Sequence, residues 1–332
     1  MTMRGVAAAL LAVVCFGALG ACGPVTFVVG MSPGDQRLAS TTVKRDGRMH
    51  SERVAIVDVS GIILNANKPG LLSEGENPVS LLSEKLAMAA ADPKVRAVIL
   101  RINSPGGAVT ASDIMHRQIH TFREQTGKPV VALLMDVAAS GGYYVACASD
   151  HIVAYPTAVT GSIGVIMQTI TVKPALNRIG VMTDAITSGP NKDAGSFLSE
   201  LKPEHRRILQ GLVDDFYDRF VDVVRAARPG ISDQDMTWIA DGRVFSGQGA
   251  AEHGLVDELG DLDSAFAVAR SLAGVEHADL VLYHRPLNYV GSPYASTREP
   301  VDARTQINLM QVNIADLPSH ASVGFYYLWQ PE

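Results

Sequence analysis

Pro129-Val-Val-Ala-Leu-Leu-Met135, continued by Asp136-Val-Ala-Ala-Ser-Gly-Gly-Tyr-Tyr-Val-Ala146, decides how this chain is read. The first seven residues form an unbroken apolar run, the pattern of a strand covered on both faces. It ends in a cluster of very small residues, Ala138, Ala139, Ser140, Gly141 and Gly142, which open a helix expected over Tyr143 to Ala148. A strand that turns into a helix through small residues sets its turn serine at the helix N-terminus. Free backbone N–H groups and the positive end of the helix dipole there favour a developing negative charge. Ser140 is therefore a candidate nucleophile, in the manner of a nucleophile elbow, although the G-x-S-x-G spelling is absent. On local residues alone, a serine chosen for its size and for capping the helix remains the alternative.

Outward from this centre the same alternation repeats. Val54 to Ile63 is β-rich and suits a first strand ending near Gly61, and Asn65 to Asn77 is a loop. Pro78 opens a helix stopped by Asp92-Pro93. Ala97-Val-Ile-Leu-Arg-Ile102 is a second buried strand running into Asn103-Ser-Pro-Gly-Gly-Ala108, followed by a helix over Ser112 to Gln125. A strand is expected at His151 to Tyr155, a short helix at Pro174 to Ile179, and a strand at Met182 to Thr187. The βαβα order implies an α/β fold, a mostly parallel sheet with helices on both faces. Ligands in such sheets bind beyond the strand C-termini. Asn103 to Gly107 and Ala138 to Gly142 both follow strand ends, so the two glycine turns are expected to share one edge.

Further on, Pro203 starts a helix whose Ile208, Leu212, Phe216, Phe220 and Val224 recur every four residues, a stripe for core or subunit packing. Ile231 to Gly260 reads as a helix with turns, and Asp261 to Ala273 as another helix. After Gly274 the pattern degrades through Pro286, Pro293, Pro300 and Pro318, and an irregular extension over 276–332 is expected.

The 332 residues can bury a large core. A formal charge of −6 with no basic run argues against nucleic acid as a partner. Cys15, Cys22 and Cys147 have no zinc-site spacing, so no metal and no cofactor are implied. At the N-terminus, Arg4 precedes an apolar stretch from Val6 to Leu19, too short to span a bilayer comfortably. Leu19-Gly20-Ala21-Cys22 resembles a bacterial lipobox, which would make residues 1–21 a cleaved leader and Cys22 the lipidated first residue. A secretory signal or an uncleaved anchor is the alternative. Residues 22–52 then read as a membrane tether, with the folded part beginning at Arg53.

Four groups could carry chemistry. Ser140 with its glycines is the first. Asn103-Ser-Pro-Gly-Gly107 could aim an N–H at a carbonyl oxygen, or be an ordinary turn. Lys192, in Ser188-Gly-Pro-Asn-Lys-Asp-Ala-Gly-Ser196, could be a base or a solvated surface lysine. His116 and His120, four apart on a helix, could chelate a metal but lack a third ligand, or simply line a wet face.

Taken in order, Asn103 to Gly107, Asp136 to Tyr144, Thr160-Gly-Ser-Ile-Gly-Val165 and Ser188-Gly-x-x-Lys-Asp193 resemble the signal peptide peptidase A family of serine proteases, peptidase family S49. The resemblance covers residues 53 to 275, which would be the protease domain. It implies a fold of the crotonase/Clp-protease type, Ser140 as nucleophile, Lys192 as general base, and Gly107 and Gly141 as oxyanion donors. It also implies a short, single-repeat member working as a homo-oligomeric ring, whose sites are completed between subunits. Its substrates would be remnant signal peptides, at an extracytoplasmic membrane surface. An extended peptide would add as a strand beside the groove, with Tyr143 and Tyr144 as candidates for lining it and helix packing as the role of at least one.

A lysine base must lose its proton near neutrality, so its pKa must fall from ~10.4 toward ~7–8 by desolvation. The loop 188–200 is therefore expected to lie open in a single chain, with Ser140 and Lys192 too far apart to hydrogen-bond. Two rivals share the fold, a crotonase-like acyl-CoA enzyme and a non-catalytic membrane scaffold. The first usually needs glutamates, and none lies in 103–107 or 136–144. A Ser-His protease using His116, His120 or His151 is the rival within hydrolytic chemistry.

Overall fold

The structure is a computed structural model that describes residues 37–46, 52–67, 76–286, 292–295 and 324–329. Residues 1–36, with the expected leader and Cys22, lie outside the described residues.

Three apolar runs build the centre. β2 (Arg53–Ser60), β3 (Val95–Ser104) and β5 (Val130–Ala139) lie side by side and parallel. Successive side chains of a strand face opposite ways, and each face has its own core. Ala55, Val57, Val98, Leu100, Val130 and Ala132 pack to one side, and Val54, Ile56, Ala97, Ile99, Val131 and Leu133 to the other. Each fully buried Val, Leu or Ile contributes roughly 1.5–3 kcal/mol. The first face is covered by α1 (Pro78–Ala91), α2 (Val109–Thr126), α3 (Gly141–Ala146) and part of α5 (Pro203–Ala227). The second face is covered by α8 (Leu262–Leu272). The short α6 (Asp233–Ile239) and α7 (Gly247–Glu252) add Met236, Ile239 and Ala250 to the first face, and α4 (Lys173–Arg178) buries none of its residues. Asn77 starts α1 by accepting from the N–H groups of Val79 and Ser80, with Pro78 at the first helical turn.

The described sheet has nine strands in the order β1-β10-β2-β3-β5-β6-β9, with β7 also paired to β5 and β8 to β7. Here β1 is Ala39–Lys44, β6 His151–Ala154, β7 Val159–Gly161, β8 Val244–Ser246, β9 Glu258–Leu259 and β10 Asp279–His284. The pairings β1/β10 and β7/β8 are antiparallel and the others parallel. A separate two-stranded piece pairs β4 (Gly106–Ala108) with β11 (Tyr326–Leu328).

Several segments differ from the expectation. Ala39–Lys44, inside the stretch read as tether, is an edge strand, because Thr41, Thr42 and Val43 are β-branched and find β10 as partner. Asp279–His284, read as irregular, is an inner strand with Leu280, Val281 and Leu282 buried. Residues 182–187, read as a strand, pair with none of the described strands. Met182 is 86% exposed there and Ile186 fully exposed. The stripe on α5 divides. Phe220 and Val224 are core, whereas Ile208 and Leu212 are exposed near the helix start.

Candidate active site

β3 and β5 end side by side, and the chain leaves each through glycines. After β3, the Ser104 hydroxyl donates to the Gly61 carbonyl at 2.7 Å and accepts from Gly106 N–H at 3.1 Å, fixing the turn. Gly106 has φ +100, a conformation open to glycine. Asn103 accepts from Val137 N–H at 3.2 Å, tying the first turn to the second. After β5, Ser140 N–H donates to the Gly161 carbonyl at 2.7 Å, and Thr160 Oγ1 donates to the Ala138 carbonyl at 2.7 Å.

Ser140 therefore sits where strand becomes helix, with φ 52 and ψ −117. An L-residue held there costs about 1–3 kcal/mol, a strain that recurs at functional turns. Its residue is 1% exposed, yet it borders an open cavity of about 550 Å³ with Ser162, Val165, Tyr217, Leu328 and Trp329. Ser162 is also at positive φ, 51, so the Thr160-Gly-Ser motif makes a second tight turn against the first.

The two glycine turns touch through backbone. A Cβ added to Gly141 would come 3.1 Å from Gly107 N and 2.5 Å from Ser112 Oγ, and one added to Gly142 2.7 Å from the Ser104 carbonyl oxygen. One on Gly107 would meet the Ile63 carbonyl oxygen at 1.9 Å. Ser140, Gly107 and Gly141 thus converge, and the start of α3 faces the β3 turn. This arrangement can hold an oxygen that gains negative charge beside a hydroxyl.

Lys192 does not join them. It is exposed and forms no hydrogen bond with Ser140; its own N–H turns back to the Gly189 carbonyl at 3.2 Å. Its loop is held at its base by buried His205, whose ring contacts the Pro190 carbonyl at 3.0 Å and Asp193 at 3.6 Å. The candidate histidines are elsewhere too. His116 packs edge-on against Tyr144, His120 faces Glu124, and His151 faces Asp257. Burial pulls the His116 imidazole down to about 4 against the opposing pull of Asp113. Among the described residues no group of three or more His, Cys, Asp and Glu could hold a metal ion, and no helix is long and apolar enough to cross a membrane. The Cys147 thiol is free, buried and pushed up to about 12 by that burial.

Tyr143 and Tyr144 have separate duties. Tyr143 is buried in the core and donates to the Leu255 carbonyl at 2.7 Å. Tyr144 donates to Asp113 at 2.8 Å, and Asp113 also takes Arg219. The Tyr144 ring lies 5.1 Å from both Phe220 and Tyr327. The β11 residues beside the site gave no local signal in the sequence beyond a short aromatic run, Phe325-Tyr-Tyr327.

A family model described as Peptidase family S49 matches residues 123–276. Protease 4 of Salmonella typhi is 37% identical over 231 residues, which is 69% of this chain and 36% of that protein. The candidate protease slr0021 of Synechocystis sp. is 37% identical over 225 residues, 68% of this chain and 76% of its own length. The chloroplastic serine protease SPPA of Arabidopsis thaliana is 36% identical over 226 residues, 68% of this chain and 33% of that one. The matches thus span about a third of the longer relatives and three quarters of the shorter one. A solved mutant of the 1510-N membrane-bound stomatin-specific protease superposes with a TM-score of 0.43 and 15% identity, over 66% of this chain and 85% of its own.

Proposed function

Because this chain belongs to peptidase family S49, we propose that it is a membrane-associated serine endopeptidase in which Ser140 is the nucleophile and Lys192 the general base. Gly107 and Gly141 N–H groups take the oxyanion. The reading is carried by one observation, the strained Ser140 at the end of β5, set against the Gly106–Gly107 turn at the mouth of an open cavity. The Ser140 hydroxyl adds to a peptide carbonyl and forms an ester as the amine departs, and water then cleaves the ester.

The base comes from a second subunit. Lys192 stands exposed in a region rich in exposed apolar side chains, Ile170, Ile179, Met182 and Ile186 among them. Exposed apolar patches of this kind mark contact surfaces. Covering that region in a homo-oligomeric ring would strip water from the Lys192 amine and bring it to a neighbour's Ser140. Lipidation at Cys22 would hold the ring at an extracytoplasmic membrane surface, where remnant signal peptides and similar extended apolar peptides are the substrates.

The test is peptide cleavage by wild type, Ser140→Ala, Lys192→Ala and a reassembled mixture of the two variants. Each variant alone is expected to be inactive and the mixture to recover turnover. A mixture as inactive as its parts would remove the shared site, and an active Ser140→Ala would remove the serine mechanism.

A further inference from the structure

The stretch from Gly164 to Arg219 carries Lys192 and lies almost wholly at the surface. His205 is its one buried residue, and the imidazole has no exposed area. A side chain buried alone in such a stretch is ordinarily apolar, because an imidazole taken out of water costs free energy unless it is bonded. The position of His205 therefore follows from what the ring holds.

It holds the chain on both sides of Lys192. Nε2 lies 3.0 Å from the Pro190 carbonyl oxygen and 3.6 Å from an Asp193 carboxylate oxygen. A carbonyl can only accept, so Nε2 carries the hydrogen and donates to Pro190. Pro190 stands two residues before Lys192, and Asp193 one residue after it. Asp193 is gripped a second time by Lys202, whose Nζ is 3.5 Å from both carboxylate oxygens. Between these holds the backbone closes tight turns, from Lys192 N–H to the Gly189 carbonyl and from Ala194 N–H to the Asn191 carbonyl, each at 3.2 Å.

The grip is anchored in the core. His205 is the third residue of α5, a helix of 25 residues whose later turns bury Phe220, Val221 and Val224. The helix thus carries a fixed position from the core out to an exposed loop. Nδ1, the other ring nitrogen, is buried with no hydrogen-bond partner among the described residues. The ring supplies the loop with one N–H, which a glutamine of similar reach can also supply and a leucine cannot.

Resting on the proposed serine mechanism, we infer that His205 is the positioning residue of the general base. Its Nε2–H fixes the loop on either side of Lys192, so that the amine enters the neighbour's site from a set direction. A lysine stem is long and rich in rotamers, so the backbone beneath it decides where the amine arrives. His205 touches neither substrate nor the reacting hydroxyl and acts only through Lys192.

The experiment uses the assembled full-length protein as wild type, His205→Leu and His205→Gln. It adds His205→Leu reassembled in mixtures with Ser140→Ala and with Lys192→Ala. His205→Leu is expected to lose about 10²-fold in kcat, with KM within about threefold of wild type because substrate binding is untouched. His205→Gln is expected to restore most of that loss. Mixed with Ser140→Ala, the leucine variant should recover turnover, since one chain brings the hydroxyl and the other a well-placed lysine. Mixed with Lys192→Ala it should stay as slow as its parts, because neither chain brings that lysine.

An unchanged kcat in His205→Leu, or a glutamine variant as slow as the leucine one, overturns the inference. Recovery with Lys192→Ala, or none with Ser140→Ala, overturns it as well, since the defect would then lie outside the base loop. The mixture of Ser140→Ala with Lys192→Ala is the control. If that mixture stays inactive the shared site falls, and the kcat values of the leucine and glutamine variants alone decide the role of His205. An active Ser140→Ala removes the serine mechanism, and this inference with it.

Discussion

Adding one methyl group at Gly107 tests whether the backbone contact between the two glycine turns creates the reactive geometry. The new carbon would lie 1.9 Å from the Ile63 carbonyl oxygen and 2.6 Å from the carbonyl carbon and nitrogen of the same residue. All three are backbone atoms, and Ile63 is pinned there by two hydrogen bonds of 2.9 Å, to Gly106 and from Ala108. Reaching an ordinary contact needs a shift on the order of 1–2 Å. Overpacking of that kind costs ~1–3 kcal/mol of stability. Because the Gly107 N–H moves with its turn, an oxyanion donor is lost, worth ~3 kcal/mol of barrier or about 10²–10³ in kcat. Gly127→Ala is the control. Its φ is +65 but nothing lies within 4 Å of the added carbon, so it should cost ~1–2 kcal/mol of stability and no turnover. Peptide hydrolysis and thermal unfolding are measured on both. A Gly107→Ala enzyme with kcat within about threefold of wild type would refute the assignment, since a hundredfold loss is expected.

The remaining predictions concern the surroundings of the site. The folded chain keeps His116 neutral down to about pH 4, whereas the unfolded chain protonates it near ~6.5. Its contribution is therefore fully present above pH 6.5 and lost as pH falls toward 4, by at most ~3 kcal/mol and less for a partly exposed ring. Asp113, His120, Arg219 and Arg117 surround it, and His116→Gln should flatten denaturation midpoints across that window. Thr160→Val leaves the Ala138 carbonyl without its donor beside Ser140; ~1–3 kcal/mol should be lost in urea unfolding. Met182→Asp with Ile186→Asp should leave the fold intact and lower the mass measured by light scattering, since both side chains face solvent in the single chain. An unchanged mass would exclude this patch from the ring contact.

The centre of the fold was legible because its signals are local. Val130 to Leu134 is apolar without interruption, as only a doubly covered strand tolerates, and the small residues after it leave room for Gly141 and Gly142 against Ser104 and Gly107. The edges were not legible, because an edge strand is defined by its partner. Asp279–His284 pairs with Arg53–Ile56 across more than 220 residues, and nothing near Leu280 names that partner. Met182 to Thr187 has the residue types of a strand, but strand propensity expresses packing against neighbours, and none of the described strands pairs with these residues. The site divides similarly. Ser140 follows from the strand-to-helix turn, whereas the pairing of Tyr327 with Gly107 joins residues 220 apart and exists only in the folded chain.

The central claim, an activated hydroxyl at Ser140, is met most directly by reacting the assembled full-length protein with a fluorophosphonate and locating the adduct by mass spectrometry. The expected result is a single phosphonylated peptide containing Ser140 in wild type, strongly diminished in Lys192→Ala and absent in Ser140→Ala. A preparation that hydrolyses peptides but carries no adduct on Ser140, or carries it on another residue, would contradict the account.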